Sequence, residues 1–468
     1  MQVRRRFTTS SIRMETPRME PHADAPVELP DALGRLAARA DDRPEIIRKV
    51  GRRLTWLMFA LNFVAVLDRG NLGFAALQMN KDLGLTSATF GIGVGMFFLA
   101  YSLLEVPSNM MMARYGARLT IARIAIAWGL VQMLMAFVTG PTSFYLLRAL
   151  LGAAEAGLAP GMLLYISYWF PYSYRARYNA VFAYAIPASY AAASIVSGSI
   201  LQMNGLLGLA GWKWLFLLEG FPAIALGVIT LCYLTDRPAQ ARWLSPEERG
   251  WLQTTIDREA LLAGSSPHAR LRDVVRHPIV LLLAAINTGI YGGLATLGAW
   301  LPQIVRSFGL PLHWVGPVAA IPPLVSVAGM FFIARHSDRT RERIYHTFFL
   351  LLVAALGYVI VTISAGPAAT IGGFVIANVA VYSVNTIFWT MPQSYLPREI
   401  TATGIAFVNA MGSMTGFVVI AMIGRVQGWM GSLTAGFPIV CGVFVVGSIA
   451  VLALGARLKR RKSAIVTS

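Results

Sequence analysis

The chain has 468 residues, of which 56% are hydrophobic and only 13% charged, with a formal net charge of +18. Soluble globular proteins carry about 25% charged residues, so this composition excludes a water-soluble protein of this size. A charge of +18 would indicate a nucleic-acid ligand in a soluble chain. Here the basic residues fall in alternate connections between apolar segments, which indicates a membrane protein that binds no nucleic acid.

Hydropathy predicts twelve transmembrane helices in chain order. They cover residues 54–77, 88–110, 119–139, 143–168, 178–203, 213–235, 277–301, 314–334, 345–364, 369–393, 401–424 and 433–456. The fold class is therefore all-α, with two six-helix bundles embedded in a lipid bilayer. The length of the chain therefore reflects the number of membrane spans rather than the number of soluble domains.

The basic residues predict the orientation of these helices. One side collects the amino-terminal arginines, Arg114, Arg118, Arg175, the central loop, Arg335, Arg339 and the carboxyl tail, whereas the other has only Lys81, Lys213, Arg306 and Arg425. Basic loops remain in the cytoplasm, so both termini are predicted to be cytoplasmic. We expect a multi-pass protein of a bacterial inner membrane.

The spans divide the chain into five parts. Residues 1–50 form a polar, disordered cytoplasmic tail, and residues 51–235 form the first bundle. A cytoplasmic central loop covers 236–276, with a helix start at Ser245-Pro246-Glu247-Glu248. The second bundle covers 277–456 and a cytoplasmic tail 457–468. The halves resemble each other at the ends of the fourth and tenth spans, and such a duplication is what alternating access requires.

Ionisable residues inside spans are costly and indicate function. Asp68 lies roughly 21 Å from the cytoplasmic edge, and Arg148 lies roughly 9 Å from the other edge of a 30 Å core, at a similar depth. Arg148 and Glu155 are two helical turns apart and share a face. With Arg69, the set predicts two arginines and two carboxylates converging in one cavity, where arginine grips a carboxylate and a carboxyl takes up a proton.

Other interpretations of these charges stay open. Asp68–Arg69 and Arg148–Glu155 could be internal ion pairs that lock helices. Glu219 is expected near the outer interface, beside Lys213. Glu105, close to Arg114 and Arg118, is expected to form a cytoplasmic gate or a helix-end pair. The cysteines, Cys232 and Cys441, and the six histidines show no metal-site spacing, so no metal or other cofactor is predicted.

Several segments, in the same order along the chain, resemble the anion:cation symporter family of the major facilitator superfamily. They are Leu67–Ala75, Glu105–Asn109, Gly116–Arg118, Arg148–Gly157, Gly211–Gly220, Trp300–Gln303, Ser337–Arg339 and Gly404–Ala406 with Asn409. The likeness is closest to bacterial permeases for tartrate, phthalate and related acids. Some members place a tyrosine two positions before the aspartate, where this chain has Val66, which weakens the case for a polyhydroxylated sugar-acid site like theirs.

The resemblance implies proton-driven uptake of organic anions, with Arg69 and Arg148 contacting substrate and Asp68 and Glu155 handling protons. Tyr101, Asn385 and Asn409 are candidate polar contacts, with helix packing as an equal alternative. The matching polar turns after spans two and eight, with Glu105, predict a gating set: Glu105, Arg114, Arg118, Asp338 and Arg339.

The predicted function is therefore symport of a small carboxylate with protons, by a protein that works as a monomer. A facilitator, exchanger or exporter on the same fold stays an alternative, because direction depends on gradients and gating. A membrane-embedded enzyme is a weaker alternative, since the sequence shows no nucleophile–base motif at a membrane face.

Overall fold

The computed structural model describes residues 43–263, 271–340, 342–364 and 366–466, and its regular structure there is helical. We number the α-helices in chain order. They are α1 (Pro44–Asp82), α2 (Ser87–Tyr115), α3 (Ala117–Leu134), α4 (Pro141–Glu155), α5 (Leu158–Trp169), α6 (Tyr172–Ile200), α7 (Gly211–Tyr233), α8 (Pro246–Ala263), α9 (Leu271–Arg276), α10 (Pro278–Ser307), α11 (Leu312–Thr340), α12 (Ile344–Ile363), α13 (Pro367–Phe388), α14 (Met391–Tyr395), α15 (Arg398–Met430) and α16 (Phe437–Val466).

Within the described ranges, eleven helical segments are long and apolar enough to cross a membrane, if α4 is joined to α5 and α13 to α14. The 29-residue helix α6 occupies the place of the fifth predicted span and packs against α1 and α11. With α6 the molecule has the twelve helices that hydropathy predicts, and the all-α membrane fold is confirmed.

The terminal helices extend beyond the predicted spans. Helix α1 begins at Pro44, inside the predicted amino tail, and α16 continues to Val466, through most of the predicted carboxyl tail. Residues 44–50, predicted to be disordered, are therefore helical, because hydropathy marks only the apolar part of a helix while backbone hydrogen bonding continues into polar turns. The rest of the amino tail, residues 1–42, lies outside the described residues.

The predicted helix start in the central loop is confirmed. The Glu248 amide donates to Ser245 Oγ (3.1 Å), and the Ser245 amide donates to Glu248 Oε2 (2.7 Å). This reciprocal pair is a capping box that satisfies two free N–H groups at the start of α8.

The fourth and tenth spans, which correspond in the two halves, are each broken into two helices. The fourth breaks between Glu155 and Leu158, and the tenth between Phe388 and Met391. The first break lies in mid-span and the second near the span's end, so the two halves are similar without being equivalent.

We call the side of the molecule that carries residues 234–263 and 271–277 the central-loop face, and the opposite side the far face. The two halves touch closely near the far face. A methyl group on Gly91 of α2 would lie 3.2 Å from the Gly424 Cα of α15, and one on Gly198 of α6 would lie 2.9 Å from the Gly316 Cα of α11. Small residues allow such approach between membrane helices. The molecule is thus in a state with its far face closed.

Helix α8 is anchored on the first half at the central-loop face. Its buried side chains, Leu252 and Ile256, pack into the core of that half. Glu259 accepts hydrogen bonds from the Tyr172 amide (3.0 Å) and from Arg175 (3.1 Å). Burial raises the pKa of the Glu259 carboxyl, although the Tyr172 amide and Arg175 oppose that rise.

We expect Glu259→Ala to loosen α8, because removing hydrogen bonds to a charged group costs about 1.5–3 kcal/mol. Limited proteolysis of the central loop should accelerate by about tenfold or more. Glu259→Gln should stay close to the parent, since a neutral side chain still accepts from Tyr172. The control is Asp257→Ala, which loses only a contact with Gln253 of the same helix. Equal acceleration in the two alanine variants would contradict the anchor.

Candidate functional site

The site begins with a close contact between α2 and α4. A methyl group on Gly152 would lie 3.0 Å from the Cα of Phe97, so only glycine permits this approach. Arg148 lies one turn before Gly152 in α4, and Glu155 one turn after it. The contact therefore presents both charged side chains to the same region of α2, as the seven-residue spacing predicts.

Arg69 of α1 completes the group. Its Nη2 forms a salt bridge with Glu155 Oε1. The Arg69 side chain is 28% exposed, whereas Glu155 is 1% exposed. A molecule entering between the halves would therefore meet the guanidinium first and the carboxylate behind it.

Phe97 separates the two arginines. The guanidinium of Arg69 lies 5.4 Å from the Phe97 ring centroid, and that of Arg148 lies 4.9 Å from it. Arg148 is 4% exposed, and its Nε has no hydrogen-bond partner in the described structure. Arg69, Arg148 and Glu155, which we call the arginine group, converge as predicted. Glu155 pairs with Arg69 rather than with Arg148.

Glu155 is held at a break in the fourth span. It is the last residue of α4, Ala156 has extended ψ (130°), and Gly157 has φ +89° before α5 begins. A methyl group on Gly157 would also lie 2.7 Å from the Ser108 Cβ of α2. Glycine is thus required at this position by both its backbone angle and its neighbour. The break therefore places Glu155 at a helix end rather than in the middle of a continuous span.

Asp68 does not share the arginine group's contacts. Its Oδ2 accepts a hydrogen bond from Trp128 Nε1 of α3 (2.5 Å), and its Oδ1 is buried without a partner in the described ranges. The Asp68 carboxylate therefore contacts Trp128 rather than an arginine, and its sharing of one cavity with the two arginines stays a prediction. Adjacent residues in a helix project about 100° apart, so Asp68 and Arg69 face different neighbours.

Glu219 is a third buried carboxyl that the sequence analysis assigned to the outer interface. It is 4% exposed and is bonded to the Asn71 side chain of α1 and to Ser197 Oγ of α6 (3.1 Å). Its side chain points into the helix bundle, a direction that hydropathy could not predict because it gives only the depth of a residue along a span. Asn71, a polar residue one turn after Asp68 in the same span, was the sequence signal that could have indicated a polar partner for Glu219.

A polar contact between the two halves lies toward the central-loop face. The Asn409 amide of α15 donates to Glu105 Oε1 of α2, and Tyr291 OH of α10 donates to Asn409 Oδ1 (2.6 Å). The expected proximity of Glu105 to Arg114 and Arg118 is replaced by this contact. Tyr291 was missed, since a lone tyrosine in an apolar span carries no sequence signal.

Two further residues, Tyr101 and Asn385, were predicted to contact the substrate. The guanidinium of Arg69 lies 5.3 Å from the Tyr101 ring centroid, so Tyr101 lies beside the arginine group. A small cavity between the halves includes Gly70, the residue after Arg69, and neither Tyr101 nor Asn385 is one of its lining residues. That cavity is lined by Gly70, Phe74, Tyr190, Ser194, Leu297, Gly298, Leu301, Pro302, Pro323, Asn378 and Tyr382.

The other predicted gating residues lie at the central-loop face, each within its own half. The Arg118 amide donates to Asp236 (2.8 Å), and Arg114 lies over the ring of Tyr115. Asp338 forms a salt bridge with Arg343 (2.6 Å), while Arg339 is exposed at the end of α11. In this state they form no shared network among the described residues.

Comparison with known proteins identifies the fold. The model of the Major Facilitator Superfamily matches residues 58–420. The chain belongs to the major facilitator superfamily. It is 44% identical, over 89% of its length and 96% of the relative's, to a protein of Agrobacterium vitis named "Putative tartrate transporter". This confirms the predicted resemblance to tartrate-type permeases, and the superfamily's members of this kind are transporters rather than enzymes.

Two further relationships are informative. The chain is 34% identical to a quinolone resistance transporter of Acinetobacter baumannii, over 91% of this chain and 98% of the relative. Among solved structures, the D-xylose-proton symporter superposes with a TM-score of 0.70 at 14% identity, over 86% of this chain and 96% of that chain. The latter shows the shared fold.

The Phe97 ring should contribute to stability through its two guanidinium contacts. Phe97→Leu should lower the free energy of unfolding by about 1–2 kcal/mol more than Phe144→Leu, because each cation–π contact contributes about 0.5–2 kcal/mol. Phe144 is equally buried at the same helix interface and stacks on Phe90. Thermal unfolding of purified protein measures the difference, and equal losses would show that the arginines gain nothing from the ring.

Proposed function

We propose that this major facilitator protein imports a small organic carboxylate, such as tartrate, a sugar acid or an aromatic acid, together with protons. The observation that carries the proposal is the Arg69–Glu155 salt bridge, in which the arginine is accessible and the carboxyl is buried behind it. Arginine binds carboxylates through two parallel hydrogen bonds, which suits it to anion recognition.

The relatives support the substrate class. The Agrobacterium vitis protein and a second tartrate-transporter relative are both 44% identical to this chain over most of its length. Tyr101, beside Arg69, adds a hydroxyl near the arginine group, and Asn409 and Asn385 remain candidate contacts in another state of the cycle.

The coupling step follows from competition for Arg69. While Glu155 is ionised, it occupies the guanidinium. A proton on Glu155 removes that charge and frees Arg69 for the substrate carboxylate, with Arg148 nearby on the other side of Phe97. Asp68 is the second proposed proton carrier. A gradient of one pH unit supplies about 1.4 kcal/mol per proton, and 100 mV adds about 2.3 kcal/mol per net charge moved.

The basic connections support an inner-membrane location with both termini in the cytoplasm. The central-loop face is then cytoplasmic, and the closed far face is on the opposite side of the membrane. The Glu105–Asn409–Tyr291 contact is proposed to join the halves on the cytoplasmic side, with Arg114, Arg118, Asp338 and Arg339 controlling the change of state. The complete set lies in one chain, so we propose that a monomer transports.

Export or exchange is the second candidate. The observation that favours it is the 34% identity to a quinolone resistance transporter. The same Arg69–Glu155 competition would then exchange one anion for another across the membrane, without net proton movement.

The arginine assignment predicts a specific loss. Arg69→Lys and Arg148→Lys should each reduce kcat/KM for uptake of the preferred acid at least tenfold, because lysine cannot form the paired hydrogen bonds. The amide of that acid should not compete. Uptake into proteoliposomes from a panel of carboxylic acids provides the measurement. Arg425→Lys, exposed on α15, is the control. Normal uptake by the Arg69→Lys protein at equal abundance would overturn the assignment.

The coupling assignment makes a separate prediction. Glu155→Gln has the shape of the protonated side chain and cannot release a proton. It should exchange labelled for unlabelled substrate across proteoliposomes but fail to accumulate it under a proton gradient. Arg69 is partly exposed, so water can solvate it when the salt bridge is removed.

Comparing exchange with accumulation also distinguishes a coupling role of Glu155 from a purely structural role. A purely structural ion pair, once broken, leaves an uncompensated charge that costs about 3–5 kcal/mol, so exchange and abundance would fall together. Asp68→Asn is measured alongside, because its Trp128 contact lies outside the arginine group. Accumulation at the parent's level by Glu155→Gln, with loss in Asp68→Asn, would move the coupling role to Asp68.

A further inference from the structure

A second cavity lies at the central-loop face, away from the arginine group. Its volume is about 490 Å³, and its lining residues come from the start of α1, the end of α7 and the segment before α8. They are Glu45, Arg48, Lys49, Arg52, Arg53, Tyr233 and Trp243.

The charge of this cavity is strongly positive. Arg48, Lys49, Arg52 and Arg53 repeat at three- and four-residue spacing, so they share one side of α1. Lys49 is neutralised by Glu248 of α8 (2.7 Å), and Glu45 opposes one further charge. Two arginine charges remain in excess of the acidic residues at the cavity.

Arg53 is held in an unusual way for a surface arginine. Its guanidinium lies 4.2 Å from the ring centroid of Tyr233 and 4.9 Å from that of Trp243. Trp243 in turn stacks on the buried Trp169 (5.6 Å between centroids), which fixes its position. The aromatic rings therefore hold the guanidinium in place without neutralising its charge.

Two hydrogen-bond donors in this wall are unsatisfied. Arg53 Nε and Trp243 Nε1 are buried, and neither has a partner in the described part of the chain. Buried donors normally find an acceptor. A cavity with excess positive charge and two free donors is suited to an anion with several acceptor oxygens, as a phosphate group has.

The depth of the cavity indicates where such a phosphate comes from. The basic residues end where the apolar part of α1 begins, at Leu54. Trp56 follows, 44% exposed, with its ring 5.5 Å from that of Tyr233. Tryptophan and tyrosine concentrate at the level of lipid headgroups. Basic pockets at this level are suited to anionic headgroups.

We propose that this cavity binds the phosphate of an anionic membrane lipid. Arg48 and Arg52 contact the phosphate from the exposed rim, and Arg53 and Trp243 donate from the wall. The bound headgroup would connect α1 with α7 and the segment before α8. The proposal does not depend on which solute is transported.

The test uses the full-length protein in detergent, with native mass spectrometry after addition of phosphatidylglycerol or phosphatidylcholine. The double variant Arg48→Gln/Arg52→Gln should lose phosphatidylglycerol binding by a factor of about five or more relative to the parent. Each arginine near an anionic surface contributes about fivefold in affinity. Retention of phosphatidylcholine should be unchanged. The matched control is Arg457→Gln/Arg460→Gln, which removes two exposed charges from α16 at the same face.

Both substituted residues of the test variant are exposed, so folding is expected to be retained, and thermal unfolding checks it. Inorganic phosphate is added in a separate arm. If millimolar inorganic phosphate does not reduce the retention of phosphatidylglycerol, the result supports a lipid as the source of the phosphate. Binding of inorganic phosphate without binding of phosphatidylglycerol overturns it. Equal retention of phosphatidylglycerol by the test and control variants would overturn the site itself.

Discussion

The salt bridge between Arg69 and Glu155 is the interaction on which the organisation of the first half depends. Charges in a low-dielectric interior are stable only when compensated and hydrogen-bonded. Glu155 can reach Arg69 because α4 ends at that residue and because Gly152 brings α4 against Phe97 of α2. The helix break, the glycine contact and the aromatic ring therefore all serve one electrostatic requirement. The same requirement makes the pair sensitive to a proton or an anion.

The sequence predicts those parts of the structure that depend on one helix at a time. The span count follows from apolar windows, because the bilayer requires them whatever the neighbouring helices are. The shared face of Arg148 and Glu155 follows from helical geometry alone. The partner of Glu155 could not be predicted, since it depends on the rotation of α1 against α4. That rotation depends on the packing of three helices, in which Gly152 of α4 contacts Phe97 of α2 and the Phe97 ring contacts Arg69 of α1.

The polar contacts of Glu219 and Asn409 show the same limit more clearly. Glu219 meets Asn71 and Ser197, and Asn409 meets Glu105 and Tyr291, so each contact needs three helices. No spacing within one helix encodes such an arrangement. Two neutral side chains, Asn71 and Ser197, donate to Glu219, while a guanidinium pairs with Glu155. The two carboxyls therefore have different electrostatic environments at similar burial, and in the proposed function only Glu155 competes with a substrate anion for an arginine.

Charge compensation also constrains the proposed cycle. With Glu155 ionised, Arg69 and Arg148 leave the group with one positive charge in excess, and a monoanion neutralises it. With Glu155 protonated, the excess is two, which matches a dicarboxylate. Each proton taken up thus increases by one the number of negative charges that the group can hold. A substrate with two carboxylates would then bind with its charge compensated only after protonation, so coupling for such a substrate follows from the number of arginines. Phe97 supports this by contacting both guanidiniums without cancelling their charge.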